Sequence, residues 1–195
     1  MQKRCGHVAG KQLISLEEYV GKIKAADDVR KEMDPNFLLI ARTDARGAYG
    51  GGIEEAVRRG NASREAGADV VFVEGPTSEE EIRTFCSEIN APILYNYTGI
   101  SPYLTMEELE EIGVSLVILP GALTRVTIQS VYDFALQLKQ EGVTFASSWL
   151  KEFQKEHPLG NLHEFSGFPE IKEKEKKYLP EEESGKYDGT IGYKP

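Results

Sequence analysis

The sequence is poor in three things, and each shortage narrows what it can be. It has two cysteines in 195 residues, Cys5 and Cys86, and their settings are too different to read as a disulfide framework, so a reducing cytoplasm is the expected compartment. It has no run of about 18 apolar residues and no signal-like or transit-like start, so neither a spanning helix nor membrane attachment is expected. It also lacks an excess of basic residues: 23 Lys and Arg stand against 32 Asp and Glu, a formal charge of −9. The cations are interspersed with acids, which argues against nucleic acid as a partner. An acidic chain can still hold an anionic small molecule, because a local pocket of Arg, Lys and backbone N–H groups outweighs net charge. What remains is ample material for a core, with 40% hydrophobic residues and no long polar low-complexity tract.

From residue 16 onward, amphipathic stretches alternate with short apolar runs, the pattern of βα units around a parallel sheet. The spacing predicts helices near 16–33, 53–66, 78–89, 105–112 and 122–140. Between them, strands are predicted at 37–41, 69–73, 92–95 and 115–119, nearly continuous in apolar residues because both faces are to be covered. Thr105-Met106-Glu107-Glu108 is a capping box, and Gly67, Gly113 and Gly142 follow helical stretches where a left-handed cap is expected. The expected fold class is α/β, part of a (β/α)8 TIM barrel with a C-terminal helical appendage. The barrel portion covers 1–143, and 144–195 holds the appendage and a polar tail. Four units are fewer than eight strands, so two strand edges and an interior stay open unless another half is supplied. Leu39, Val71, Leu94 and Val117 are expected to face that interior.

Polar residues stand just after successive strands: Arg42 and Asp44, then Glu74, then Asn96 and Thr98. In a parallel barrel this rim carries the active site. Each residue alone has a plainer explanation, since Arg42 and Asp44 could form a strand-end ion pair and the others could cap the following helices. Convergence of three consecutive units favours a site. At the start of the chain, Lys3-Arg4-Cys5-Gly6-His7 sets a thiol between cations and a histidine, with a glycine allowing close backbone approach. Such a thiol is a usable proton donor or acceptor. An incidental cysteine on a basic edge is the alternative. Cys86 reads as a small buried hydrophobe without a role.

The run Lys3-Arg4-Cys5-Gly6-His7 resembles the signature loop of the isocitrate lyase and methylisocitrate lyase group, in the isocitrate lyase/phosphoenolpyruvate mutase superfamily. Ala41-Arg42-Thr43-Asp44-Ala45, Gly67-Ala68-Asp69 leading to Glu74, and Asn96-Tyr97-Thr98 with Ser101-Pro102 resemble that group's successive rim motifs, in the same order. The similarity extends from Lys3 to about residue 140. It implies the C-terminal part of the barrel of a carbon–carbon lyase cleaving a 2-hydroxy di- or tricarboxylate of the methylisocitrate or dimethylmalate type. Cys5 is then the general acid. Arg42, Asn96 and Thr98 hold substrate carboxylates, Gly6 and His7 contribute to the same anion site, and Lys3 and Arg4 lie on the mobile loop that closes over it. The implied cofactor is Mg2+, with Glu74 reaching it through water and the direct ligands on earlier strands absent from this chain. The implied assembly is a homo-oligomer, a tetramer in the family, or a complex with a complementing N-terminal half. Oxaloacetate decarboxylation, C–P bond chemistry and a non-catalytic fragment or partner subunit are the competing readings.

Overall fold

The computed structural model describes residues 5, 6, 8–97, 99–184, 186 and 189–191. The chain divides into two compact units, Met1–Arg125 and Val126–Pro195, which are described separately.

The first unit is built on four parallel strands, β1 (Ile40–Thr43), β2 (Val70–Val73), β3 (Ile93–Asn96) and β4 (Val114–Ile118), in the sheet order β1-β2-β3-β4. Helices α1 (Leu16–Met33), α2 (Ile53–Glu65), α3 (Glu79–Glu88) and α4 (Met106–Ile112) alternate with them, and α5 (Ala122–Glu141) follows β4 across the division. This is the α/β order that the periodicity predicts. The caps are where local chemistry places them. Ser15 and Ser78 side chains accept from the N–H groups of Glu18 and Glu81, and Thr105 and Glu108 complete a reciprocal capping box. Gly113 closes α4 in the left-handed conformation at φ 102°, which a side chain would resist.

Two details depart from the sequence reading. The first strand begins at Ile40, not Phe37. The β2 side meets β1 through the Leu39 carbonyl, which accepts from Asp69 and Val70 N–H, so Phe37 and Leu38 lie before the ladder and stay exposed. A short 3-10 turn, Ala45–Gly47, also follows β1. Its Arg46 is hydrogen-bonded to Glu81 at the start of α3 (Nε to Oε2 2.9 Å).

The sheet has a helix-covered face and an inner face. Val71, Val73 and Ile93 pack with Ala56 of α2 and Phe85 and Ile89 near α3, while Tyr95 packs with Ile82, Leu109 and Ile112, with Val117 against them. Val70, Phe72 and Leu94 form a separate cluster on the other side. The register aligns Ile40 with Val70, Arg42 with Phe72, Leu94 with Leu116 and Asn96 with Ile118, which extends the inner row across the sheet. Of the residues expected to face inward, Leu94 does. Val71 and Val117 do not; they pack against helices, and Leu39 shares the parity of the helix-facing Ala41. Unbroken apolar strands carry no alternation from which to tell the faces apart.

In the second unit, α6 (Val143–Glu156), α7 (Leu162–Phe165), α8 (Phe168–Tyr178) and α9 (Glu181–Ser184) follow α5. Along α6 an aromatic ladder with four-residue spacing stacks Trp149 on Phe153 (5.0 Å between centroids) and Phe153 on His157 (4.5 Å). No helix among the described residues is long and apolar enough to cross a membrane.

Candidate active site

Three consecutive strands each deliver a side chain from their C-terminal end to one place. Arg42 leaves β1 toward the inner face, Glu74 directly follows β2, and Asn96 ends β3. Register holds them level, because the Glu74 N–H donates to the Thr43 carbonyl at 3.0 Å and Arg42 aligns with Phe72. The carbons beneath are apolar, and the Arg42 guanidinium lies 4.9 Å over the Phe72 ring.

Glu74 is 1% exposed, and a carboxylate so buried needs a partner. Arg42 supplies it, with Nη2 2.9 Å from Oε2. Asn96 is likewise buried and sets its Nδ2 3.4 Å from both Glu74 oxygens. Its Oδ1 has no hydrogen-bond partner among the described residues. An unanswered buried carbonyl costs about 1–3 kcal/mol, so this oxygen is a seat for a donor from outside the described residues.

Arg42 is shared. Its Nε donates to Asp44 Oδ1 at 2.7 Å and Nη2 reaches Oδ2 at 3.2 Å, which is the strand-end ion pair of the plainer reading. The Asp44 hydrogen bond raises the Arg42 pKa above its ordinary value. Partial burial opposes this, and the charges of Asp44, Glu74 and Cys5 add to it. Nη1 has no partner among the described residues.

The N-terminal loop comes onto this pair. A Cβ added at Gly6 would fall 2.7 Å from Glu74 Cγ and would also strike Arg42, so only glycine permits this approach. Cys5, next to it, is exposed and its carbonyl accepts from Val8 N–H at 3.0 Å. A residue that the motifs did not single out fixes the loop: Lys11 donates from Nζ to the Gly6 carbonyl and lies 3.8 Å from Asp44 Oδ2. One lysine thus ties the cysteine loop to the β1 rim. Nothing in its sequence setting marks it, since the role exists only once the loop folds back. Lys3, Arg4, His7 and Thr98 lie outside the described residues. Cys5, Gly6, Arg42, Glu74 and Asn96 are brought together.

The donor set does not make a direct Mg2+ shell. Mg2+ asks for six oxygens in near-octahedral array, and among the described residues no three acidic, histidine or cysteine side chains are grouped to hold a metal. The two nearby carboxylates, Asp44 and Glu74, both face the Arg42 guanidinium.

The profile of the family described as phosphoenolpyruvate phosphomutase matches residues 2–139. The chain is 42% identical over 146 residues to 2,3-dimethylmalate lyase of Eubacterium barkeri, covering 74% of this chain and 49% of that protein. It is 41% identical over 144 residues to 2-methylisocitrate lyase of Aeropyrum pernix, covering 73% and 45%. It therefore spans about half the length of the curated relatives it matches. Among solved structures, 2,3-dimethylmalate lyase superposes with a TM-score of 0.79 at 31% identity, over 98% of this chain and 60% of that one. Oxaloacetate acetylhydrolase with 3,3-difluorooxalacetate superposes at 0.66 and 34% identity, over 72% and 48%.

Proposed function

Because the chain belongs to the phosphoenolpyruvate phosphomutase family of the isocitrate lyase/phosphoenolpyruvate mutase superfamily, we propose that it carries the substrate-handling rim of a carbon–carbon lyase for a 2-hydroxy di- or tricarboxylate. The observation that carries this reading is the convergence of Cys5, Arg42, Glu74 and Asn96 on one end of the sheet, together with the lyase names of the relatives.

In this reading the Nη1 edge of Arg42 and the second N–H of the Asn96 amide hold substrate carboxylate, Thr98 serves the same role, and Asn96 Oδ1 accepts from a substrate hydroxyl. A base from outside the described residues takes the substrate hydroxyl proton, the alkoxide collapses to a ketone, and the C–C electron pair leaves with the second carboxylate as an enediolate. Cys5 donates the proton that quenches it, and takes that proton back in the reverse condensation. Gly6 and His7 contribute to the same anion site, and Lys3 and Arg4 belong to the loop that closes over it and keeps water from the enediolate. The cofactor would be Mg2+, held by carboxylates from outside this chain with Glu74 assisting through water, and it would stabilise the α-keto acid and the enediolate. The setting is cytoplasmic, and the chain works as an oligomer or with a complementing N-terminal half.

The test mixes the chain with the N-terminal barrel segment of dimethylmalate lyase and Mg2+, and follows α-keto acid release from 2,3-dimethylmalate and 2-methylisocitrate. Turnover is expected and should vanish almost entirely with Cys5→Ala. The likeness to oxaloacetate acetylhydrolase supports a second reading, chemistry on oxaloacetate. Consumption of oxaloacetate that survives Cys5→Ala would select oxaloacetate decarboxylation. No turnover of any of these, with a folded complex, would make the chain a non-catalytic partner.

A further inference from the structure

Lys11 carries its ammonium group largely out of water: the side chain is only 11% exposed, and a cation so placed must be answered. Two oxygens answer it. The amine donates to the Gly6 carbonyl and lies 3.8 Å from Asp44 Oδ2. The backbone end is fixed as well. The Lys11 carbonyl accepts from Tyr49 N–H at 3.0 Å, and Gln12 makes a parallel bridge to Tyr49, which holds this segment to the stretch that follows the 3-10 turn after β1. Between its two anchors the side chain passes over Gly47, where an added Cβ would stand 3.4 Å from Nζ.

What the amine holds is the residue next to Cys5. Gly6 comes so close to Arg42 and Glu74 because it has no side chain, and for the same reason it has no side-chain contact to keep it there. Burial does not fix the neighbouring thiol, since Cys5 is exposed. The turn itself is closed by Val8 N–H donating to the Cys5 carbonyl at 3.0 Å, which shapes the loop without placing it on the rim. Lys11 places it.

Asp44 sets two cations at once, with Oδ2 3.8 Å from Lys11 Nζ and 3.2 Å from Arg42 Nη2. A lysine that only balanced the acidic rim would need its charge and not a hydrogen bond to Gly6. Lys11 instead reaches the carbonyl at hydrogen-bonding range and stands beyond that range from the carboxylate. We propose that Lys11 is the positioning residue for Cys5: with Asp44 as its counter-charge, it holds the Cys5–Gly6 backbone against the Arg42–Glu74 pair and so sets the thiol relative to a carboxylate on Arg42. The part played by the thiol rests on the lyase reading, whereas the tether rests on the contacts alone.

Two measurements test it. In the full chain alone, hydrogen exchange followed by NMR compares the unaltered protein with Lys11→Met, which keeps the stem and removes the donor. The Val8 amide should exchange at least about fivefold faster, with the amides of 70–73 unchanged as the sign of an intact sheet, and Lys11→Arg should retain most of the protection. Should Lys11→Met fail to fold, Lys11→Gln takes its place with the same expectation. In the complex with the N-terminal segment of dimethylmalate lyase and Mg2+, Lys11→Met should lower kcat at least about tenfold while KM stays within about threefold, because Arg42 is untouched, and Lys11→Arg should recover most of kcat. Unchanged Val8 exchange would overturn the proposal. So would a raised KM at constant kcat, which would make Lys11 a charge that binds substrate. If the unaltered complex turns over nothing, the lyase reading fails, and Val8 exchange alone decides the tether.

Discussion

At the scale of single residues, Arg42 is held by two carboxylates of its own protein and, in the proposed function, also serves a ligand. Two of its nitrogens face Asp44 and Glu74, and the planar fork leaves the third for a carboxylate. A lysine keeps the charge but offers one point of contact. In a reconstituted barrel, Arg42→Lys should lower kcat/KM at least about tenfold, roughly 1.4 kcal/mol; an unchanged value would leave Arg42 as a strand-end ion pair. The two thiols differ as sharply. Burial pushes Cys86 up to about 11 and Tyr95 up to about 12, so the folded state holds their protons after the unfolded chain has released them. Their contribution is complete below the unfolded values and is lost as pH rises through about 9 to 12. Urea midpoints should therefore fall above pH 9, and Cys86→Ala should flatten part of that decline. Iodoacetamide at pH 8 should label exposed Cys5 well before Cys86, as peptide mapping would show.

At the scale of elements, the caps and turns that hold each βα unit are separable contributions. Thr105→Ala removes the acceptor for Glu108 N–H and should cost about 1 kcal/mol in a urea titration. Gly67→Ala should cost more than Thr105→Ala. Gly67 sits at φ 114° and a Cβ there would collide with the Asp27 carboxylate, which is itself bonded to Arg30 and Lys31; strain and the broken network add. Equal or smaller loss would show that the α1–α2 corner yields freely. These features were readable because each is local: a capping box needs four residues, and a post-helix glycine needs one. The rim was readable for a related reason, since a polar residue just after an apolar strand marks Arg42, Glu74 and Asn96 without knowledge of the fold. The facing of the strands was not. Val71 and Phe72 are equally apolar, and only the packing of Phe85 and Ala56 on one side decides which of them points inward. Lys11 was hidden because its partners, the Gly6 carbonyl and Asp44, come near it only through tertiary structure.

At the scale of the whole molecule, net charge and apolar contact oppose each other in any self-association. Each chain carries −9, so bringing copies together raises the repulsion between them, while exposed apolar side chains such as Ile40, Leu116 and Ile118 favour contact. Salt screens that repulsion over a Debye length of about 10 Å at 0.1 M and leaves apolar contact intact. Self-association should therefore tighten between about 20 and 300 mM NaCl, the reverse of an assembly held by ion pairs, and sedimentation across that range reads it directly. The same contrast separates assembly from catalysis. Two copies of this chain would double the Arg42–Glu74–Asn96 rim, and among the described residues neither rim offers Mg2+ a direct oxygen shell. Calorimetric titration of the chain alone with Mg2+ and oxalate should give only the weak, unsaturating heat of an acidic surface. Adding the N-terminal segment of dimethylmalate lyase should convert it to saturable 1:1 binding. Saturable Mg2+-dependent oxalate binding by the chain alone would mean that Asp44 and Glu74 leave Arg42 to take the metal themselves, and Asp44→Asn would then abolish it.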